Sequence, residues 1–351
     1  MPTLVTTPDR FTKILPMPYG KQELDPNVNL ETGTPRRVRC YVRGCHHVLR
    51  VPTKYDRGET CPDHGIRCHC SGSGAAYSHT YTYADAKRNV IASAEQFGQR
   101  IIHHPFKYES HRLGSEKSED TLTWNVFRSL QEAGQLGSFV ERVTGERSPL
   151  EPYLYLWGIC LTDDEFEPWP LLIAARDRFE RALPVKRPFT EPDIALHLPG
   201  KYLILIEAKF TSPNTCYEPG PRKDAASLTF DELLGRYQDP GLEILDYRAA
   251  RQAARVYQQL WRNTTFAEWM GKTDHPRTKA YHLNLVRDGE EIESEPEFRK
   301  LVSAQFQDRF RRITWEQIYH GMGDCRRLEP LRQYLANKTA GLRPAFRLPR
   351  T

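Results

Sequence analysis

Nowhere does this chain offer the roughly 18 consecutive apolar residues of a membrane-crossing helix, and its hydrophobic share is only 39%. A membrane-spanning protein is therefore not expected. The first residues hold no apolar block of the kind that opens a secretory leader, so a cytoplasmic protein is the expectation. Strong charge of one sign is missing too: a net +5 on 351 residues is too mild to name a polyanionic partner by itself. There is no internal repeat, which sets aside solenoids and propellers. No His-Glu-x-x-His or similar open-site motif occurs, which disfavours a zinc hydrolase, and helicase and methyltransferase motifs are absent. Cysteine is scarce outside one segment, since five of the eight fall between Cys40 and Cys70. That clustering argues against a disulfide framework running through the fold and for a local metal site. Cys160, Cys216 and Cys325 are scattered, and free thiols in a reducing cytosol are expected there.

The cluster reads Cys40-x4-Cys45, then fifteen residues, then Cys61-x2-His64, with Cys68 and Cys70 close behind. Two short-spaced ligand pairs on opposed turns are the layout of a zinc ribbon or treble-clef knuckle. Thiolates and an imidazole in tetrahedral array select Zn²⁺. Gly44 and Gly65 let the backbone turn tightly beside the ion. The expected ligands are Cys40, Cys45, Cys61 and His64; Cys68 or Cys70 in place of His64, or entry of His46 or His47, stays open. Four protein ligands leave no open position, so the zinc is expected to be structural. Between Arg36 and Arg67 there are eight Arg or Lys against three Asp or Glu. That surplus suits phosphate contacts, although a solvated arginine face or a protein-docking module would read the same way.

Farther along, Tyr202-Leu-Ile-Leu-Ile206 runs into Glu207-Ala208-Lys209-Phe210. The β-branched, apolar character is that of a buried strand, and its period of two puts Glu207 and Lys209 on one face with Leu203 and Leu205. Burying either charge unpaired costs several kcal/mol, so each needs a metal ion, a substrate phosphate or a counter-charge. The segment from Glu191 to Leu198 reads as a second strand, with Pro192 at its start where a missing N–H is tolerated. Pro199-Gly200 turns the two into a hairpin. Asp193 and Glu207 then lie near its open end, close enough to share a hard cation such as Mg²⁺. Such a cation polarises a phosphoryl group and acidifies an attacking water, and Lys209 can stabilise the developing oxyanion. The plainer alternative is a solvated Glu/Lys pair on an edge strand.

Pro192-Asp193 followed by Glu207-x-Lys209 resembles the PD-(D/E)XK nuclease superfamily, the restriction-endonuclease-like fold. The resemblance implies an α/β domain with an αβββαβ core and a mixed central sheet, here joined to a small N-terminal zinc ribbon. It implies metal-dependent cleavage of phosphodiester bonds with Mg²⁺ or Mn²⁺, DNA as substrate more than RNA, and work in prokaryotic restriction or phage defence. Members of the superfamily often supply a further acid from a helix before the hairpin. Ser118 to Leu130 is the candidate: Ser118 is a good N-cap, and Leu122, Val126, Phe127 and Leu130 form the core stripe. Glu119 is favoured as the additional metal ligand, with Asp120 in reserve; simple compensation of the helix dipole is the alternative. A helix over Leu245–Asn263 is expected next, with Ala250, Ala253, Tyr257, Leu260 and Trp261 in the core and Gln252, Arg255 and Gln259 on its flank. Strands are expected at Tyr153–Cys160 and Thr278–Val286. The insertion Phe166–Thr190 has no place in this pattern.

The expected organisation is an arm (1–35), a zinc-ribbon-like module (36–75), a helical linker (76–110, with a helix over Tyr83–Arg100), a nuclease domain (111–325) and a basic tail (326–351, with Arg343, Arg347 and Arg350). The expected function is a Mg²⁺-dependent DNA endonuclease in which Asp193, Glu207 and Glu119 hold metal and Lys209 stabilises charge. Its rival is a non-catalytic zinc-ribbon nucleic-acid-binding or scaffold protein with a degenerate nuclease fold. One active site cuts one strand, so a homo-oligomer or a partner protein of a defence system is expected for double-strand cleavage.

Overall fold

The structure, a computed structural model, describes residues 17–29, 36–53, 57–70, 77–105, 112–161, 166–181, 189–220 and 228–348. Most of the expected arm, the Ser71-Gly-Ser-Gly74 stretch, residues 182–188 of the insertion and Arg350 lie outside the described residues.

Helix α1 (Glu119–Glu132) begins where expected: the Ser118 hydroxyl accepts from the Thr121 N–H at 3.1 Å, meeting one of the donors a helix start leaves open. Leu122, Val126, Phe127 and Leu130 are fully buried, but so are Trp124 and Asn125, so the helix is covered all round rather than on one stripe. After α2 (Leu136–Thr144), the strands β1 (Tyr153–Leu156) and β2 (Ile159–Cys160) form a tight hairpin. A single strand over Tyr153–Cys160 was expected. Trp157 and Gly158 both adopt positive φ, 52° and 79°, and fold the segment back on itself. The insertion contributes α3 (Pro170–Glu180).

The hairpin of β3 (Ile194–Leu198) and β4 (Tyr202–Ala208) follows, with Ile194 opposite Ile206 and Leu198 opposite Tyr202. Helix α4 (Gln258–Asp274) then crosses to β5 (Lys279–Val286), parallel to β4, and β6 (Phe310–Thr314) adds parallel to β5. The result is a six-stranded mixed sheet ordered β6-β5-β4-β3-β1-β2. Every residue of β4 is buried, as its near-continuous apolar run demands of a central strand covered on both faces. Ile204 and Ile206 pack into the core that holds α1, whereas Leu203 and Leu205 pack against Leu260 and Trp261 of α4. Helix, strands, hairpin, helix and strand come in the expected order, and this α/β architecture is consistent with a restriction-endonuclease-like fold.

Three further expectations need correction. The helix over Leu245–Asn263 is broken: a first helix, Tyr247–Ala253, stops at Ala254 with φ 50°. Val256–Tyr257 then pairs with Cys216–Tyr217 before α4 starts at Gln258. The helix over Tyr83–Arg100 does not form either. Tyr77–Tyr83, with tyrosines at alternate positions near its end, pairs as a strand with Ile66–Cys70. Only short helical pieces follow, at Ala86–Asn89 and, end to end, at Ala94–Gln96 and Phe97–Ile101. There the Asn125 side chain takes backbone groups that a helix would use, donating to the Asn89 carbonyl and accepting the Ile91 N–H, both at 2.9 Å. Finally, the segment expected as a basic tail is docked: after α5 (Trp315–Gly321), which precedes it, α6 (Glu329–Asn337) packs on the sheet's core. The following turn buries Leu342 among Cys40, Tyr41 and Tyr81. No helix among the described residues is long and apolar enough to cross a membrane.

Candidate active site and metal centre

Asp193 immediately precedes β3, and its Oδ2 accepts the Ala208 N–H at 2.9 Å, tying it across the hairpin to the end of β4. Glu119, the first residue of α1, accepts the Phe210 N–H at 2.7 Å. The helix start is thereby pinned to the chain just beyond Lys209. Glu207 is only 2% exposed. Its Oε1 accepts from Lys209 Nζ at 2.6 Å and from Gln259 Nε2 at 2.5 Å, and its Oε2 accepts from Asn263 Nδ2 at 2.7 Å. Gln259 and Asn263 stand one turn apart on α4, the spacing that puts two side chains side by side. Trp315 at the start of α5 anchors the Lys209 carbonyl at 3.0 Å. All four expected residues (Glu119, Asp193, Glu207 and Lys209) line one cavity of about 470 Å³.

Charge is crowded there. Burial, then the nearby Glu207 carboxylate, pushes the Asp193 carboxyl well up. Burial raises Glu119 to about 7 against the pull of Lys209. Burial alone would lower the Lys209 ammonium, but Glu207, Asp193 and Glu119 together hold it above its ordinary value, so it stays charged. Three acids around one ammonium hold on to protons that a bound cation could replace. Hard carboxylate oxygens around open space suit Mg²⁺, which takes one or two carboxylates and completes its shell with water and phosphate oxygens. The three carboxylates do not close into a single set: among the described residues the only group of three or more metal-ligating atoms within 4.8 Å of one another is the cysteine cluster.

Several residues at the site were not foreseen. Asn263 and Arg262 reach it from α4, and Glu180 of the insertion supports it from behind by holding Arg262. The signal was present as Gln258-Gln259 and Arg262-Asn263, polar pairs at helical spacing in a helix otherwise rich in buried residues. Gln252, by contrast, is exposed on the earlier helix, and Arg255 pairs with Glu218 and Glu297 at 3.7 and 3.5 Å away from the cavity. Asp120 also lines the cavity.

The second site is Cys40, Cys45, Cys61 and His64. Cys45 Sγ lies 3.8 Å from Cys61 Sγ, and His64 Nδ1 lies 3.3 Å from Cys61 Sγ and 3.7 Å from Cys40 Sγ. Four ligands around zinc at Zn–S of about 2.3 Å have tetrahedral edges of roughly 3.8 Å, whereas a disulfide would close to about 2.05 Å. The set could hold zinc. Gly44 and Gly65, with φ 72° and 63°, make the two turns that present these ligands. Cys68 is buried but bonds the His69 carbonyl at 3.4 Å instead. His46 is exposed and His47 pairs with Asp63 at 2.9 Å. The Cys70 side chain lies outside the described residues. Part of the basic surplus is answered locally, since Arg37 and Arg50 stand opposite each other and both reach Glu59, at 3.3 and 3.9 Å.

The molecule thus joins a mixed α/β sheet to a carboxylate-lysine cluster at one end of its hairpin. Residues 178–338 match the model of a family described as Restriction Endonuclease associating with ARP. This supports a restriction-endonuclease-like family for that part of the chain, from the end of α3 through α6. The matched stretch contains Asp193, Glu207, Lys209 and α4, and leaves Glu119 and the cysteine cluster outside. Neither curated proteins nor solved structures give a match.

Proposed function

We propose that this chain is a metal-dependent nuclease of PD-(D/E)XK type that hydrolyses phosphodiester bonds, in DNA more than RNA, as part of prokaryotic defence. The observation that carries the reading is the convergence of Asp193, Glu207 and Lys209 in one open, acid-rich cavity. Asp193 and Glu207 would hold Mg²⁺, with Glu119 completing the shell directly or through water. The ion, when bound, would polarise the scissile phosphoryl group and acidify a water. Gln259 and Asn263 orient the Glu207 carboxylate, and Lys209 sets a fixed positive charge against the linkage where negative charge develops. The Cys/His zinc site shapes the N-terminal module, whose arginines can follow a phosphate backbone. The family description also speaks for a protein partner, ARP, alongside nucleic acid.

The test is incubation with plasmid, linear and single-stranded DNA and with RNA, in Mg²⁺, Mn²⁺ or EDTA. Cutting is expected with Mg²⁺ and not with EDTA. Lys209→Ala and Asp193→Ala should each reduce it at least ~100-fold with zinc content and circular dichroism unchanged. Activity surviving both substitutions would remove the mechanism. Tight nucleic-acid binding with no cutting under any condition would favour the rival, a non-catalytic binding scaffold.

A further inference from the structure

Two positively charged side chains are found among the described residues lining the cavity, Lys209 and Arg262. Lys209 is committed to Glu207 at 2.6 Å. Arg262 is held differently. Its Nε donates to Thr190 Oγ1 at 2.8 Å and its Nη2 to Glu180 Oε1 at 3.2 Å, while Nη1 gives no hydrogen bond to any described residue. Glu180 is wholly buried and already receives the Thr190 N–H at 2.8 Å and the Tyr237 hydroxyl at 2.7 Å. One edge of the guanidinium is thus clamped by the insertion, and the Nη1 end is left over at the wall of an acidic cavity. A buried Arg–Glu pair is about neutral for stability compared with apolar packing, so stability alone is a weak reason for this one. A planar, weakly hydrated fork with spare donors is instead the group that suits phosphate oxygens.

We propose that Arg262 is a phosphate-binding residue: its Nη1 donors take non-bridging oxygens of the phosphate next to the scissile one, and Glu180 and Thr190 of the insertion hold it in place. This rests on the nuclease reading and gives the 166–190 insertion its task. It also implies that the strand enters along α4, past Gln258 and Arg262, before reaching Asp193 and Lys209.

The experiment reads binding apart from cutting. A fluorescein-labelled duplex and a single strand are titrated by anisotropy between 50 and 200 mM salt, with Ca²⁺ replacing Mg²⁺. Arg262→Met should weaken binding roughly tenfold, equally for unrelated sequences, and lower the slope of log K against log salt by about 0.7–0.9, the value of one phosphate contact. Arg262→Lys should keep most of that slope. Affinity and slope unchanged in a folded Arg262→Met would overturn the proposal and leave Arg262 as a counter-ion of Glu180. Should Arg262→Met not fold, the pair variant Glu180→Gln with Arg262→Met removes both charges together and is read identically. Failure of the nuclease reading looks different: the wild-type protein never cuts, whatever Arg262 does to binding.

Discussion

Glu119 and Asp193 carry the clearest consequence of close charges. Both carboxyls sit above their ordinary range because protein surrounds them and other acids face them, Glu119 moving from 4.5 to about 7. Between those values the native state keeps a proton that the unfolded chain has released. The resulting stabilisation is full below about 4.5 and is lost as pH rises through about 7, at most ~3 kcal/mol for Glu119, less where water reaches it. Thermal melts of Mg²⁺-free protein should therefore fall from pH 5 to pH 8. Added Mg²⁺ should restore more at pH 8, where it replaces protons among the acids, and Glu119→Gln should flatten the profile. A flat profile in the wild type would mean that the acids are not crowded. That Asp193, Glu207, Lys209 and Glu119 would meet at one cavity was legible because each sits in a pattern of its own segment. Asn263 was overlooked: its i, i+4 spacing from Gln259 marks a polar helix face, but its bond to Glu207 joins residues 56 apart, and local spacing does not name that partner.

At the scale of elements, the sheet strands were plain from their apolar runs, and the start of α1 from Ser118. What failed was continuity. Periodicity carried one helix from Leu245 to Asn263, yet Ala254 takes a left-handed conformation, φ 50°, that ends the first helix and lets Val256–Tyr257 pair with Cys216–Tyr217. Alanine resists that conformation by about 1–2 kcal/mol, and glycine does not. Ala254→Gly is thus expected to raise the denaturant midpoint, by about 0.5–1 kcal/mol in unfolding free energy after the extra entropy of the unfolded glycine. A lower midpoint would show that no strain is held at the break. The same tertiary override acts at Trp157-Gly158, where a turn replaces the middle of the expected strand.

Across the whole molecule, the N-terminal module is not an isolated bead. Its small core joins Leu24, Cys40, Leu49, Cys61 and Ile66 to Tyr81, Tyr83 and the C-terminal Leu342, and Glu116 accepts the Leu342 N–H at 2.8 Å. With so few large apolar side chains, a metal held by the Cys/His cluster would complete the core. Metal analysis should find about one zinc per chain. Stripping it should expose amides of 36–70 to hydrogen exchange, with those of the Thr339–Pro344 turn opening alongside, while β3, β4 and β5 stay protected. Equal loss of protection throughout would mean that the module and sheet unfold as one unit. The sequence alone determined the central strands, the hairpin bearing its acids and lysine, and the grouping of Cys40, Cys45, Cys61 and His64, because each depends on period, turn chemistry or spacing within the chain. The tertiary structure alone decided which helix face closes over Glu207, how the insertion clamps Arg262, and where the last residues dock. Those contacts join segments far apart in the chain, and only the folded packing brings their charges and donors within bonding reach.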